Sequence, residues 1–471
     1  MTSRISSVKK FEIAPMNQSS GNATFSYVNG NPLVQFEIGA ADLYLLSSKL
    51  RLNFRLRLEL GADNASGNRR PNNNDQTGAG AADCLVNNKV GAASVIENIT
   101  ISNLQNNILE YCRAYPRLLA SLIASGSSFA DYSTYLSQQF SATSNKDVQG
   151  RICNTSGTEG SFMEVSMPLM CGVFLNGDNL PLSFKSGTGG LRISIQLAPS
   201  IQGLFGDTPA TTTNSQYYLS NVSLTGEYGV PEGGVLPPIK ALPFGAFQNF
   251  YSVINNGDNT QQINPALSAV ISQFTNFVPT EHISNYAQDG YKTTPLLNKS
   301  TAAGTPQVNK APAQGVDFIR SGVKFPLQFK IDEQNVVRRD VAAANNDQYA
   351  GSTFEAQRQY YFQSALRPLK GTTEVLAGAN SEGLSVANGD VHHNSTTGTH
   401  GGTNNGFQNC YGVGCRYDAV GNGSTASFMG RPFSMRLQSK LDGASPMSAY
   451  TYFFHRGMIN FDSNGIISVS T

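Results

Sequence analysis

The sequence predicts an all-β chain built as two sandwich-like units in tandem, and three observations carry that prediction. Short segments of apolar/polar alternation recur along the 471 residues, and a period of two belongs to strands with one buried face. Long runs of helix-forming Ala, Glu, Lys and Leu are missing, whereas Gly (46 residues), Asn, Ser and Thr are plentiful. Near the middle stands Val230-Pro231-Glu232-Gly233-Gly234-Val235-Leu236-Pro237-Pro238. Pro fixes φ and lacks a backbone donor, and paired Gly costs entropy inside a regular element. The run therefore reads as a connector that cannot sit inside a sheet. The predicted organisation is an N-terminal unit over 1–230, a hinge over 231–238 and a C-terminal unit over 239–471.

The clearest strand is Lys49–Leu60, where six apolar residues from Leu50 to Leu60 alternate with Arg51, Asn53, Arg55, Arg57 and Glu59. Leu191–Leu197 and Met163–Leu169 repeat the pattern. Leu33–Ile38, Val95–Ser102, Asn107–Cys112, Val173–Phe184 and Tyr217–Tyr228 complete about eight strands before the hinge. One-sided strands in that number suggest two packed antiparallel sheets rather than a parallel α/β sheet. Arg113–Ser125 carries Leu118, Leu119, Leu122 and Ile123 at helical spacing, with Pro116 tolerable in its first turn.

Beyond the hinge, strands are expected at Phe247–Ile254, Ala269–Val278, Val323–Ile331, Phe433–Leu441, Ala449–Phe454, Gly457–Phe461 and Ile466–Ser470. Pro326 argues for an edge or a bulge in its strand. Asp462-Ser463-Asn464-Gly465 reads as a compact turn. Phe354–Leu366 is the counterpart of the first-half helix. Three polar tracts, 61–93, 298–315 and 371–427, read as long inserted loops of the kind that display or interlock. Residues 1–10 read as a polar, basic tail that frays.

Composition excludes several function classes. Charged residues are 14% of the chain, against ~25% in an average globular protein, and 33 basic residues face 32 acidic ones. A net charge of +1 lacks the basic surplus of a dedicated nucleic-acid binder. No apolar run is long enough to span a membrane, and the first ten residues lack the apolar core of a secretory leader. The six cysteines, Cys84, Cys112, Cys153, Cys171, Cys410 and Cys415, contain no CxxC pair and read as free thiols. Cys410 and Cys415 are spaced to close a small loop if oxidised. Asn-x-Ser/Thr triplets such as those at Asn17, Asn98 and Asn221 read as products of composition.

Catalytic signatures are missing from the sequence. It holds no phosphate-binding loop, no HExxH, no GxSxG and no complete calcium loop. His392, His393 and His400 cluster in a Gly/Asn-rich tract without a rigid element to hold a metal. His455 and His282 read as structural. Paired carboxylates would mark a sandwich glycosidase. Asp178, Asp207, Asp258, Asp390 and Asp462 flank predicted turns, and Glu164 and Asp332 lie in or at the end of strands. These read as surface carboxylates. With 26 Phe and 19 Tyr but no Trp, most rings are expected in cores. No catalytic, cofactor-binding or metal residue is expected.

The tandem units, capping helices and inserted loops resemble the double-jelly-roll major capsid proteins of tailless icosahedral DNA viruses. That lineage includes adenoviruses, virophages, Polinton-like viruses and the nucleocytoplasmic large DNA viruses. Local matches are Ser166-Met167-Pro168-Leu169 leading into Val173–Phe184 and then Gly190–Pro199, Phe250–Asn256 after the hinge, and Tyr450–Phe454 through Ile459–Phe461 to Val469. The resemblance implies two eight-stranded antiparallel jelly rolls. It also implies a homotrimer of pseudo-hexagonal outline that tiles a shell as a non-enzymatic capsomer of the virion, assembled inside the host cell. Partners would be neighbouring capsomers and minor capsid and penton proteins. The tail, with Arg4, Lys9 and Lys10, would face an internal membrane or the genome, without specific nucleic-acid readout. Loop 371–427 would be the main exterior feature. A carbohydrate-binding or carbohydrate-active β-sandwich is the alternative from another class.

Overall fold

The computed structural model describes residues 5–18, 24–62, 69–71, 84–86, 90–126, 162–175, 179–206, 216–255, 257–280, 283, 328–331, 334–335, 364–365, 412–417, 425–439, 446–461 and 467–470. The expected loop 298–315, the turn 462–465 and most of helix 354–366 and of loop 371–427 lie outside them.

In the first half the strands are β1 (Ile5–Ile13), β2 (Leu33–Ile38), β3 (Tyr44–Leu45), β4 (Arg51–Ala62), β5 (Arg69–Pro71), β6 (Cys84–Val86) and β7 (Ile96–Asn103). They continue with β8 (Ile108–Cys112), β9 (Phe162–Pro168), β10 (Leu180–Pro181), β11 (Leu191–Leu197), β12 (Leu204–Gly206) and β13 (Gln216–Pro231). Helices α1 (Tyr115–Gly126), α2 (Gly172–Leu175) and α3 (Ser200–Gly203) lie between them. The second half holds β14 (Ala241–Ile254), β15 (Gly257–Ile263), β16 (Val270–Pro279), β17 (Gln328–Ile331), β18 (Gln334–Asn335), β19 (Gly412–Arg416), β20 (Phe433–Ser439), β21 (Met447–Phe461) and β22 (Ile467–Ser470).

The pairing defines the fold. One layer of the first half runs β1-β13-β4-β9 and the other β2-β11-β7-β8, all antiparallel. Counted among the eight principal strands, the first layer takes the first, eighth, third and sixth, and the second takes the second, seventh, fourth and fifth. That interleaving is the jelly-roll wrap. The second half repeats it, with β14-β21-β16-β19 over β15-β20-β17-β18. Helix α1 joins the fifth and sixth strands of the first roll. The helical residues 364–365 stand in the same connection of the second.

Alternation explains the layers. Leu52, Phe54 and Leu56 of β4 are buried beside Leu224 and Leu219 of β13, while Arg51, Asn53 and Arg55 point away from the sandwich. Ile193 and Ile195 of β11 face Phe36 and Val34 of β2 in the same way. In the second roll, Phe453 meets Phe250, Phe428 and Phe433 edge-on in the interior.

Several expectations are corrected. Residues 5–10 of the supposed tail belong to β1, which pairs with β13 from Ile5↔Pro231 to Ile13↔Leu224, with Phe11 stacked on Tyr228. The same ladder places Val230 and Pro231 inside a sheet. The connector is the turn that follows, where Gly233 (φ 87°) and Gly234 (φ 76°) take left-handed conformations. Val173–Phe184 is not a strand. Its described residues hold the single turn α2 and the two-residue β10, and Gly172 at the start of that turn packs backbone to backbone on Ala246. Ala449–Phe454 and Gly457–Phe461 are one strand, β21. Gly457 leaves room for the Phe244 ring instead of breaking the strand, since a Cβ there would lie 2.5 Å from the ring's Cζ. Strand β15, GDNTQQI, lacks alternation and so has no signature in the sequence, and it carries Asp258 within a strand. The tract 371–427 contains β19, and Gly414 there is a close-approach glycine whose added Cβ would lie 2.7 Å from Ala365. The tract 61–93 contains β5 and β6, and a buried 3₁₀ turn occupies Gly91–Val95.

Candidate functional site

The two rolls meet through polar groups that no single stretch of sequence reveals. At the centre is Glu110 of β8, 3% exposed. Its Oε1 accepts hydrogen bonds from the Gly172 N–H (2.9 Å), the Phe247 N–H (2.9 Å) and the Cys112 thiol (3.3 Å). Its Oε2 accepts from the Val173 N–H at 2.9 Å. Gly172 and Val173 open α2 in the first roll, whereas Phe247 belongs to β14 of the second. One carboxylate thus caps a helical turn and ties the rolls together. Burial pushes the Glu110 pKa up, and the bonds from Val173, Phe247 and Gly172 oppose that.

Around it, α1 lies on the outward face of the second roll's first layer. Arg117 stacks over the Tyr450 ring, 4.4 Å from its centroid. The Tyr452 hydroxyl donates to the Ala114 carbonyl at 3.1 Å, and Asn276 Nδ2 donates to Ser121 Oγ. Ala114 holds φ 48°, an uncommon conformation for alanine, just before the helix. Apolar contact surrounds these bonds. Phe247 packs on Phe454, Phe274 stacks on Tyr452, and the buried apolar cluster runs unbroken from the first roll into these rings.

Glu110, Cys112 and Cys171 place donor atoms within 4.8 Å of one another, all buried. As a metal set they fit poorly. Both Glu110 oxygens already serve backbone amides, and three donors leave a fourth tetrahedral position without a ligand. The hydrogen bond to Cys171 and then burial raise the Cys112 thiol well above its ordinary pKa, and burial raises Cys171. Both are free thiols, as is buried Cys415, whose pKa burial pushes up to about 12.

A second feature is an open groove of about 480 Å³ on the outward face of β1, β13, β4 and β9. Glu12, Arg51, Asn53, Arg55, Glu164, Ser166, Asn221 and Ser223 line it. Arg55 and Glu164 form an ion pair at 2.9 Å, Arg51 Nε donates to Ser166 Oγ at 3.0 Å, and Asn53 Nδ2 to Thr225 Oγ1 at 2.9 Å. Asn221 (φ 49°) sits in a bulge of β13 between Ser220 and Ser223.

Of the residues weighed in the sequence, Glu164 is exposed in this groove and His455 is buried in β21. Burial lowers the His455 pKa to about 4. His282, His392, His393, His400, Asp178, Asp207, Asp332, Asp390, Asp462, Cys410 and Arg4 lie outside the described residues. No helix among the described residues is long and apolar enough to cross a membrane.

No family model matches the sequence, and no curated protein does. Solved structures match across the whole chain. The Faustovirus major capsid protein aligns with 98% of this chain and 91% of its own, at TM-score 0.54 and 10% identity. A chain of the Sputnik virophage particle aligns over 99% and 88%, at 0.53 and 9%. The PBCV-1 capsid model aligns over 100% and 98%, at 0.51 and 11%. The shared fold is a double jelly roll. At these identities the double jelly roll is common ground through topology and packing, with few side chains kept.

Proposed function

We propose that this chain is a viral major capsid protein, a non-enzymatic subunit whose homotrimers form pseudo-hexagonal capsomers that tile an icosahedral shell in the virion. The observation that carries this reading is the coupling of two jelly rolls through Glu110 and the α1 contacts. Three such pairs supply six similar wedges, and closed cyclic symmetry is the common outcome for soluble homo-oligomers. The units are taken as 1–230 and 239–471, joined by 231–238. Low charge suits the role, since like charges repeated by symmetry at every contact would repel. Neighbouring capsomers, minor capsid proteins and penton proteins are the partners of such a subunit. In the groove, Glu12 and Glu164 are both exposed and Glu164 is ion-paired. That favours a structural face over a carbohydrate-cleaving site, which needs a desolvated acid.

Light scattering after size exclusion tests the proposal. A stable trimer near ~150 kDa, three times the 50.4 kDa chain, with hexagonal outlines in negative stain, is the expected result. A monomer that cleaves or binds oligosaccharides would overturn it.

A further inference from the structure

Two thiols that touch in the interior are a reactive combination, and the capsomer has no need of one. Cys112 closes β8, and Cys171 stands one residue before α2. With Glu110 they place their donor atoms within 4.8 Å of one another, and both are free and buried. The Cys112 thiol is hydrogen-bonded to Cys171 and, at 3.3 Å, to Glu110 Oε1. A single buried cysteine is only a small apolar group. This pair differs because the two sulfurs are already neighbours and a carboxylate beside them can take up a proton.

Position gives the pair its consequence. The Cys171 carbonyl accepts the N–H groups of Phe174 and Leu175 at 2.9 and 3.0 Å, so Cys171 starts the turn α2. Both β8 and α2 belong to the first roll's surface against the second. Between them the chain carries α1, which makes the other polar contacts across the seam. A bond between the sulfurs would close a loop of about 60 residues that includes α1, and closing a long loop removes freedom chiefly from the unfolded chain.

The second roll also guards the site. The Phe247 N–H sits on the same Glu110 oxygen as the Cys112 thiol. The bond to Cys171 and burial hold the Cys112 thiol protonated, and burial does the same for Cys171. Since the thiolate is the nucleophile, the folded pair stays inert until the seam opens and water enters.

We infer that Cys112 and Cys171 are a latent disulfide at the seam between the rolls, closed by a peroxide when the seam opens and fastening β8 to α2. With the seam open, Cys112 passes its proton to Glu110 and attacks one peroxide oxygen. The O–O bond breaks, a sulfenic acid forms on Cys112, and the departing hydroxide leaves as water with the proton from Glu110. Cys171 then attacks the sulfenic sulfur. The S–O bond breaks, the S–S bond forms, and a second water carries off the Cys171 proton. Two thiols are oxidised and one peroxide is reduced to two waters. A reducing cell interior keeps such a pair open, and oxidising surroundings let it close. The chemistry does not depend on the capsomer reading.

Peroxide treatment of the full-length protein tests it, on a Cys153→Ser background so that the tryptic peptide carrying Cys171 holds no second thiol. Hydrogen peroxide is added with and without urea below the denaturation midpoint. The urea is then diluted out, and remaining thiols are alkylated before peptide mapping without reductant. The expected product is a chain two hydrogens lighter, in which peptide 90–113 is joined to peptide 152–185. Oxidation should run roughly tenfold faster in the urea, because the seam opens before the rolls unfold. The oxidised protein should melt about 4–16 °C higher, a gain that dithiothreitol reverses. Cys112→Ser and Cys171→Ser should each abolish the joined peptide and the gain. Both variants keep every methionine, so they report what peroxide does to Tm by other routes. Alkylated Cys112 and Cys171 after the urea treatment, a bond from either to Cys84, Cys410 or Cys415, a rate indifferent to urea, or a disulfide that leaves Tm unchanged or lower would overturn the inference. Mapping of the Cys153→Ser protein decides the pairing even if a serine variant at 112 or 171 fails to fold. A chain that closes the bond yet stays monomeric would overturn the capsomer reading alone.

Discussion

Glu110→Ala is the perturbation that most directly probes how the two rolls are joined. The change strands three buried backbone donors, Gly172, Val173 and Phe247, and one thiol. A buried donor left unsatisfied costs about 1–3 kcal/mol, and removing one partner from a buried charged network costs about 3–5 kcal/mol. Relief of the carboxylate's own desolvation offsets part of the sum, so a net loss of about 3–5 kcal/mol is expected. Units of 150–250 residues shift Tm by roughly 2–4 °C per kcal/mol, which places the drop near ~6–20 °C. Calorimetry should also show the single transition separating into two, because the bond to Phe247 is one that crosses between rolls. Glu110→Gln keeps the shape and one acceptor oxygen, and should fall between wild type and alanine. The sign of the pH effect follows from burial, which raises the Glu110 pKa above the ordinary carboxylate value. Between those two values the folded state holds more protons than the unfolded chain, so this group's contribution declines as pH rises through that window. Glu110→Gln should remove that slope. A Tm for Glu110→Ala within about 2 °C of wild type would refute the reasoning, since it implies under about 1 kcal/mol.

Other expectations follow from single features. His455 is buried with its pKa lowered to about 4, so the unfolded state takes up its proton first, and stability should fall as pH drops from about 6.5 toward 4. His455→Gln should flatten that slope in urea titrations run across the range. Gly172→Ala would place a Cβ 2.7 Å from the Ala246 Cα, and a close approach of two backbones gives way only by moving the rolls. A loss of about 1–3 kcal/mol is expected, read as a lower denaturation midpoint, and an unchanged midpoint would contradict the packing. Deleting residues 1–13 removes β1 and uncovers the edge of β13 and the Tyr228 ring. Lower Tm and concentration-dependent aggregation are expected, whereas a frayed tail would be dispensable.

Much of the fold was legible because strand periodicity is local. Leu33–Ile38 and Leu191–Leu197 occupy the bounds their alternation indicates. What misled were residues whose meaning depends on distant neighbours. Lys9 and Lys10 read as a tail, yet their backbone completes a ladder with residues more than two hundred positions away. Gly414 falls in a tract that reads as loop and Gly457 opens a separate expected strand, yet both mark close approach within strands. Polar β15 carries no alternation to detect, and pairing with β20 makes it a strand.

The candidate site was less legible still. Arg51 and Arg55 were visible as the polar side of a strand, and Glu164 as a strand carboxylate, but only the β4–β9 and β4–β13 registers gather them into one groove. Glu110 does not stand out in the sequence, because one acidic residue in a short strand resembles any surface carboxylate. Its one sequence signal is position, next to buried Leu109 and two residues before buried Cys112.

By itself the sequence determined the β character and the placement of most strands, because alternation, Gly and Pro act through the local backbone. The tertiary structure decided which strand lies beside which, and so that both halves wrap as jelly rolls. It also decided that the aromatic outward face of β14, β21 and β16 is covered by the first roll. Those outcomes depend on contacts between residues 62, 63 and 137 positions apart around Glu110. No periodicity in a chain encodes such separations; the packing of two finished rolls creates them.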